Sequence, residues 1–391
     1  MILYIRQKIF CGDAEMENKN ENKKFRITDY VPVWSMVLFA IAICALMVEL
    51  IAKSNVAFAE AINESAGRVI RLILAKSTSF IPFSLAETFL LCSPVLIAIL
   101  VMLVIRAGNK SLKSLIKFTA GILSLITLIY STFVFGFGTG YYGKTIDEKL
   151  GLDRKDVSAQ ELYDTARLLL SGAEKELENV TFPEGTYSSM TFSYAEMNEK
   201  LNRAWEKVSE KYPCFQSFRS NTKPVMLSGI WTYTHTSGVY SFFTGEANVN
   251  VNYPDFIIIS SAAHEMAHQR GVAREDEANF ASFLVCINSD DPYIRYSGYL
   301  DMFREVRDKL YSADKELYNK LVSEMSAETK KEIYSFAKFF DKYRDNVAAT
   351  VSNKVNDTYI TSHGQEAGIK SYGLVVDLLC AYMLYGDGAT K

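Results

Sequence analysis

Histidine, cysteine and excess charge are all scarce in this sequence. The 391 residues include 4 histidines and 6 cysteines, and the formal net charge is −3. This charge excludes the strongly basic character of a general nucleic-acid-binding protein. We expect no disulfide framework, because Cys44 and Cys92 lie in long apolar runs and Cys214, Cys286 and Cys380 are an odd number. No cleavable signal peptide is expected, since the first apolar residues are few and interrupted by charge.

Three long apolar runs occupy the N-terminal third of the chain. They extend from Val33 to Ile51, from Leu85 to Ile105 and from about Lys117 to Phe137. Each run is long enough to cross a bilayer core of about 30 Å, so residues 30–140 are predicted to form three transmembrane helices. Apolar residues at helical spacing between the first two runs predict a further helix that lies along the membrane surface.

Lysine and arginine predict how these spans are oriented. Six of them lie in residues 1–29 and four in the short connection between the second and third runs, so both segments should face the cytoplasm. Residues 1–29 contain too few apolar side chains for a core and are expected to be a disordered cytoplasmic tail. Three spans in the cell membrane then put the domain of residues 145–391 on the extracytoplasmic side.

The stretch that carries chemistry is HEMAH, at residues 264–268. On a helix, His264 and His268 leave the same face one turn apart, and Glu265 projects beside them. This pattern is typical of a Zn²⁺ site, in which two imidazoles bind the metal and the carboxylate takes a proton from a water. The spacing therefore predicts zinc at His264 and His268, with Glu265 as the general base.

A catalytic zinc usually has a third protein ligand. Arg274 stands where a third histidine would complete a longer motif, and a guanidinium cannot bind a metal. The acidic residues that follow remain as candidates: Glu275, Asp276 and Glu277. Helical spacing favours Glu275 and puts Asn279 on the same face, where its side chain can hydrogen-bond a ligand histidine. Glu277 remains the alternative third ligand.

Residues 145–391 are predicted to have an α+β fold that is mainly α. Between Pro224 and Asn252, β-branched and aromatic runs broken by glycine predict a small antiparallel sheet of two or three strands. A strand that leads into the metal helix can offer a free edge to an extended peptide. We therefore predict that the substrate cleft is lined by Ala247, Asn248, Val249 and Asn250.

A hydrogen-bond donor for the developing oxyanion is expected on the glycine-rich segment near the C-terminus. Tyr359, His363 and Tyr372 lie in this segment. Tyr359 and His363 are the preferred candidates for a catalytic role, and no spacing rule connects any of the three with the metal.

These residues resemble the zincin metallopeptidases of the glutamate-ligand type, in which HExxH is followed by a Glu on a neighbouring helix; the run EDEANF is similar to that of membrane-linked members. This resemblance implies zinc at His264, His268 and Glu275, although the gap between the second His and the Glu is shorter than usual. Over about residues 30–388 the chain also resembles a bacterial family, domain of unknown function 3810. It shares three N-terminal spans and the blocks TGEANVN, HEMAHQRGVAREDEANF, RYSGYL and VNDTYI, which imply the architecture and the metal site but no substrate.

The sequence thus predicts a membrane-anchored zinc peptidase that cleaves an extracytoplasmic protein or peptide. A non-hydrolytic envelope receptor or assembly factor that retains a zincin fold is the alternative. Because the HExxH motif lies more than a hundred residues beyond the last apolar run, the cleaved bond is expected outside the bilayer.

Overall fold

A computed structural model of the chain describes residues 26–183, 187–365 and 374–390. These residues are mainly helical and include one small sheet, as predicted. Most of the predicted cytoplasmic tail lies outside the described residues. The five cysteines in the described part are all free.

Five helices form the N-terminal region. In chain order they are α1 (Val33–Ala52), α2 (Val56–Ile62), α3 (Arg68–Thr78), α4 (Leu85–Lys110) and α5 (Leu112–Gly136). Helices α1, α4 and α5 are long and apolar enough to cross a membrane, which confirms the three predicted apolar spans. The additional helix predicted between the first two spans is present as α2 and α3, joined by a single π-helical turn.

The described chain divides into two compact units. One comprises residues 26–41 and 95–128 and so contains parts of the three apolar helices. Within it Ser124 Oγ donates a hydrogen bond to Ser35 Oγ at 3.1 Å. The other unit comprises residues 42–94 and 129–390 and contains all the described elements that follow α5.

Helices also dominate the chain after α5. They are α6 (Ile146–Leu150), α7 (Ala159–Lys175), α8 (Tyr194–Lys211), α9 (Ser228–Trp231), α10 (Asp255–Gln269), α11 (Glu275–Ile287), α12 (Pro292–Ala313), α13 (Lys315–Glu324), α14 (Ala327–Asp341), α15 (Val347–Ser362) and α16 (Val375–Cys380). Helix α10 is buried on almost every side and packs against α11, α12 and the sheet, so it is the centre of the core. Its burial explains why its sequence, DFIIISSAAHEMAHQ, has no long polar face.

The sheet has three short strands, β1 (Lys223–Pro224), β2 (Gly238–Ser241) and β3 (Glu246–Val249), in the order β1-β3-β2. Strand β3 pairs antiparallel with β2 and parallel with β1. The prediction of an antiparallel sheet is therefore wrong for β1. The physical reason is that the connection through α9 reverses the chain once before β2, and the turn after β2 reverses it again.

A fully buried arginine joins the segment α2–α3 to the rest of its unit. The Arg71 guanidinium donates hydrogen bonds to Asn63 Oδ1 at 2.8 Å, to the Gly136 carbonyl at 2.6 Å and to Gln216 Oε1 at 3.1 Å. Burial lowers the pKa of Arg71 to about 10, so the group remains charged at neutral pH. We refer to Arg71, Asn63, Gly136 and Gln216 as the Arg71 cluster.

Candidate metal centre

Two consecutive helices position the candidate metal ligands. Helix α10 carries His264, Glu265 and His268 near its C-terminal end, and α11 begins at Glu275 after a short turn. Gly271 in that turn has φ 95°, a left-handed conformation that favours glycine. A Cβ there would also lie 2.4 Å from Arg71 Nη2, so the turn requires glycine for space as well.

The ligand atoms of three side chains converge between these helices. His264 Nε2 and His268 Nε2 lie 3.2 Å and 3.3 Å from Glu275 Oε2. The three potential ligand atoms lie within 4.8 Å of one another, and the described residues contain no second group of this kind. Two imidazole nitrogens and a carboxylate oxygen are a donor set that fits Zn²⁺.

The other ring nitrogens of the two histidines form hydrogen bonds with oxygen atoms. His264 Nδ1 lies 2.7 Å from Asn279 Oδ1, and His268 Nδ1 lies 2.7 Å from the carbonyl oxygen of Val272. A carbonyl oxygen only accepts, so His268 Nδ1 carries a hydrogen, and Asn279 favours the same arrangement in His264. Both Nε2 atoms are therefore oriented to act as metal ligands.

The other two carboxylates considered as third ligand point to different partners. Glu277 Oε1 accepts hydrogen bonds from the Ile146 amide and from Arg274 Nη1, each at 3.0 Å. Asp276 Oδ2 forms an ion pair with Arg154 Nη2 at 2.8 Å. Of the three acidic residues, only Glu275 lies against the histidines.

Glu265 is buried beside this group without satisfying its own hydrogen-bonding capacity. Its Oε2 atom has no hydrogen-bond partner among the described residues. Burial raises the pKa of Glu265 to about 7, although the charges of His264 and His268 and a backbone hydrogen bond from Tyr240 lower it in part. A buried carboxyl with a pKa near neutrality can both accept and return a proton.

His268 and Glu275 stabilise each other's charged forms in the protein chain alone. Burial disfavours the charged form of His268, but the adjacent Glu275 carboxylate raises the pKa of this imidazole to about 9. Burial would likewise raise the pKa of Glu275, and His268 and His264 instead hold it well below its usual range. A cation, either a proton or a metal ion, is thus strongly favoured between these groups.

A family model described as "Protein of unknown function (DUF3810)" matches residues 64–380. The chain belongs to this family. No curated protein and no solved structure matches it. In this DUF3810 chain the matched range includes helices α10 and α11, the whole sheet and the two later apolar helices, α4 and α5.

The two predicted oxyanion donors occupy different positions in the DUF3810 chain. Tyr359, on α15, accepts a hydrogen bond from the Tyr141 hydroxyl at 3.4 Å. Burial, together with the nearby negative charge of Glu275, raises the pKa of Tyr359 to about 12. His363 directs Nδ1 to the Tyr359 carbonyl at 2.7 Å and packs its ring on Phe133. Of these two residues, Tyr359 is thus the one whose pKa is affected by the candidate ligand Glu275.

Tyr372 lies outside the described residues. The one remaining histidine, His235, bonds through Nε2 to the Tyr343 carbonyl at 2.7 Å and packs on Phe340. Its contacts are therefore with the segment before α15 rather than with the three candidate ligands.

The residues predicted to line the cleft form the central strand and the residue after it. Strand β3 pairs with β1 on one side and with β2 on the other. The side chains in question are at most 1% exposed: Ala247, Asn248, Val249 and Asn250. Because β3 is the central strand, its backbone has no free edge for a substrate peptide, which corrects the prediction that these residues line the cleft. The order of strands in the sheet differs from their order in the chain.

Among the described residues of the DUF3810 chain, β1 and β2 are the two edge strands of the sheet, and β2 is the one that lies beside Glu265. Ser237 and Ser241 use their carbonyls toward β3 and its turn, accepting from Asn250 N at 2.8 Å and Gly245 N at 2.7 Å. Because backbone groups alternate in direction along an antiparallel strand, those of Gly238 and Tyr240 point away from β3. Gly238 also faces Glu265, since a Cβ on Gly238 would lie 2.5 Å from Glu265 Oε1.

Sequence reasoning missed Gly238, Tyr240, Phe137 and Tyr141. The ring of Phe137 packs edge-on against His268, with centroids 5.8 Å apart, and also against Tyr240 and Tyr141. The GFGTGYY segment that ends the apolar region was a visible signal for an aromatic exit from the membrane, but no spacing connected it with HExxH.

Proposed function

We propose that this protein is a membrane-anchored, zinc-dependent peptidase. The observation that carries the proposal is the convergence of His264, His268 and Glu275 beside a buried Glu265 that has an unpartnered oxygen. In a structural zinc site, protein ligands fill all the coordination positions, and no additional buried carboxyl group with an unpartnered oxygen is needed beside them. A buried carboxyl group that leaves one oxygen without a hydrogen bond is costly, so its retention next to the candidate ligands favours a role in proton transfer.

The roles of the residues follow from these positions. His264, His268 and Glu275 would hold Zn²⁺, which supplies Lewis acidity toward a water and a peptide carbonyl. Glu265 accepts the proton of the attacking water at Oε2 and returns it to the leaving amine. Tyr359 receives a hydrogen bond from Tyr141, so its own hydroxyl hydrogen can be donated to the developing oxyanion.

An extended peptide fits the free edge of β2. The outward backbone groups of Gly238 and the Tyr240 carbonyl can pair with the substrate main chain as an added strand, while the Tyr240 amide donates to Glu265. This edge borders Glu265, because Gly238 has no side chain to separate them. Recognition through the main chain would make the cleft tolerant of different substrate sequences.

The three apolar helices anchor this activity in a membrane. The distribution of lysine and arginine in the first 29 residues and between α4 and α5 favours an extracytoplasmic position for the domain. The substrate would accordingly be a protein or peptide of that compartment.

The test uses the full chain, purified in detergent and reconstituted in lipid nanodiscs. We expect zinc at one equivalent and cleavage of a randomised peptide pool, with new termini identified by mass spectrometry. Glu265→Gln should retain the zinc and lose activity by about 10²–10⁴-fold, the usual contribution of a general base. Glu316→Gln, on the exposed surface of α13, is the matched control and should cleave normally.

Two results would contradict the proposal. Zinc binding without cleavage of any peptide would favour the non-hydrolytic receptor or assembly factor. Unchanged cleavage by Glu265→Gln would remove this residue from the reaction and with it the proposed mechanism.

A further inference from the structure

The candidate metal centre lies against the end of an apolar helix. Phe137, whose ring packs on His268, directly follows Gly136, the last residue of α5. Gly140, three residues later, approaches the turn between the metal helices so closely that a Cβ would lie 3.0 Å from Ala273. Although more than a hundred residues separate α5 from the HExxH motif in sequence, the fold brings the site to the end of the span.

Two buried carboxylates connect the sheet region to the start of α4 through hydrogen bonds. Glu246 of β3 accepts hydrogen bonds from the amides of Leu85 and Ala86 at 3.0 Å and 2.9 Å. In the opposite direction, Glu87 of α4 accepts from the amides of Met226 and Leu227, each at 2.8 Å. The sheet and α9 are therefore held at the point where the second span begins.

The turn between β2 and β3 lies beside α5. Phe242 in this turn contacts Phe133, with ring centroids 5.0 Å apart and nearly perpendicular. Phe133 lies about one helical turn before the end of α5. A bilayer that surrounds α5 to its last turn would therefore reach the residues of this β-turn.

Large apolar side chains are exposed next to these three attachments. We call the following set the apolar rim: Phe80 (79% exposed), Phe83 (44%), Met226 (68%), Ile230 (63%) and Phe243 (41%). Phe80 and Phe83 immediately precede α4, Met226 is bonded to Glu87, Ile230 lies in α9, and Phe243 follows Phe242. Water is an unfavourable environment for such a group of side chains, and a bilayer is the apolar phase continuous with them.

We propose that the apolar rim inserts into the membrane surface and that substrate reaches the edge of β2 from there, so that the substrate is a polypeptide segment next to a membrane anchor. This substrate class rests on the proposed peptidase activity; the insertion of the rim does not. The cleft edge at Gly238 and Tyr240 is continuous with the span, because the Tyr240 ring packs on Phe137 at 5.3 Å. A segment tethered in the same bilayer reaches such a cleft at a high effective concentration.

The first arm of the test measures insertion of the rim. A tryptophan is added to the full chain by Ile230→Trp and, as a control of similar exposure on α14, by Tyr334→Trp (68% exposed). Both proteins are reconstituted in nanodiscs of phosphatidylcholine with or without brominated acyl chains. We expect bromine to quench the added fluorescence at position 230 and to leave that at position 334 unchanged, relative to the parent protein.

The second arm measures substrate class. One randomised decapeptide pool is offered either free in solution or fused to a single poly-leucine transmembrane helix in the same nanodisc. Cleavage of the anchored pool should be faster by at least about tenfold. The double variant Phe80→Ser, Ile230→Ser should lose that preference while it cleaves the free pool at the parent rate; Tyr334→Ser should keep both.

The possible outcomes separate the two proposals. Equal quenching at positions 230 and 334 overturns the insertion of the rim, whatever the cleavage assay gives. Quenching at 230 with equal cleavage of the two pools overturns the substrate class. Quenching at 230 with zinc bound and neither pool cleaved overturns the peptidase proposal and the substrate class with it, and leaves the membrane-inserted rim supported.

Discussion

The metal centre and the Arg71 cluster are both buried, but their polar groups meet in opposite ways. In the Arg71 cluster a guanidinium donates to carbonyl and amide oxygens, so donors face acceptors. In the candidate metal centre two Nε2 atoms instead face a carboxylate oxygen. Acceptors that face acceptors require a cation between them, and this difference distinguishes a structural cluster from a site.

The largest expected effect separates Glu275 from Glu277, which lie in the same turn of α11. Glu275→Gln should weaken zinc binding by about 100- to 1000-fold, since structural zinc sites derive about 10–16 kcal/mol from four ligands. Glu277→Gln should bind zinc normally, because this carboxylate bonds to Ile146 and Arg274. Competition against a chelating dye measures both affinities. If the two substitutions weakened zinc binding equally, Glu275 could not be distinguished from Glu277 as the third ligand.

Arg71→Met tests the Arg71 cluster. It leaves several buried oxygen atoms without a donor, at about 1–3 kcal/mol for each, so we expect a loss of about 3 kcal/mol in the free energy of unfolding. Arg68→Met, on the exposed face of α3, should cost less than about 0.5 kcal/mol. Denaturant unfolding of the reconstituted proteins gives both values. Loss of zinc from folded Arg71→Met protein would instead make this cluster part of the site.

Gly238→Ala tests the close approach of β2 to Glu265. The added methyl group would lie 2.5 Å from Glu265 Oε1, so the carboxylate must move while the ligands stay in place. Peptide cleavage should fall by about 100-fold, the cost of a misplacement of about 1 Å, with zinc affinity unchanged. Gly229→Ala, where a Cβ would meet no atom within 4 Å, is the matched control. Normal cleavage by Gly238→Ala would show that Glu265 has no fixed position.

Asn279→Ala should have the smallest effect. Removing the oxygen atom that holds His264 Nδ1 should reduce zinc affinity by about tenfold, at the low end for an outer partner of a ligand histidine. Asn319→Ala, on the exposed surface of α13, controls for the loss of an amide. An unchanged affinity would mean that packing alone orients the His264 ring.

Features of the chain that follow from local periodicity could be predicted from sequence. The three apolar helices, the pairing of His264 with His268 and the position of Asn279 all depend on spacings within one helix or between two adjacent ones. The position of Glu275, rather than Glu277, against the two histidines belongs to the same class, because it follows from the direction of side chains along α11.

Features that depend on contacts between distant parts of the chain could not be predicted. Strand order put β3 in the centre of the sheet and left β1 and β2 at its edges. Gly238 meets Glu265 across 27 residues, and Phe137 meets His268 across 131. No pattern in a single sequence specifies such pairs, because they are fixed by the packing of whole elements.

The hydrogen bonds from Leu85 and Ala86 to Glu246 have a consequence for biogenesis. The first amides of a helix have no partner within the helix, and here a carboxylate 161 residues later in the chain satisfies two of them. Ser84 Oγ accepts from the Glu87 amide at 2.9 Å, so the local sequence caps one amide of the first turn by itself. The amides of Leu85 and Ala86 can find their acceptor only after Glu246 has been synthesised, so the start of the second apolar helix completes its hydrogen bonds only when the sheet has folded against it.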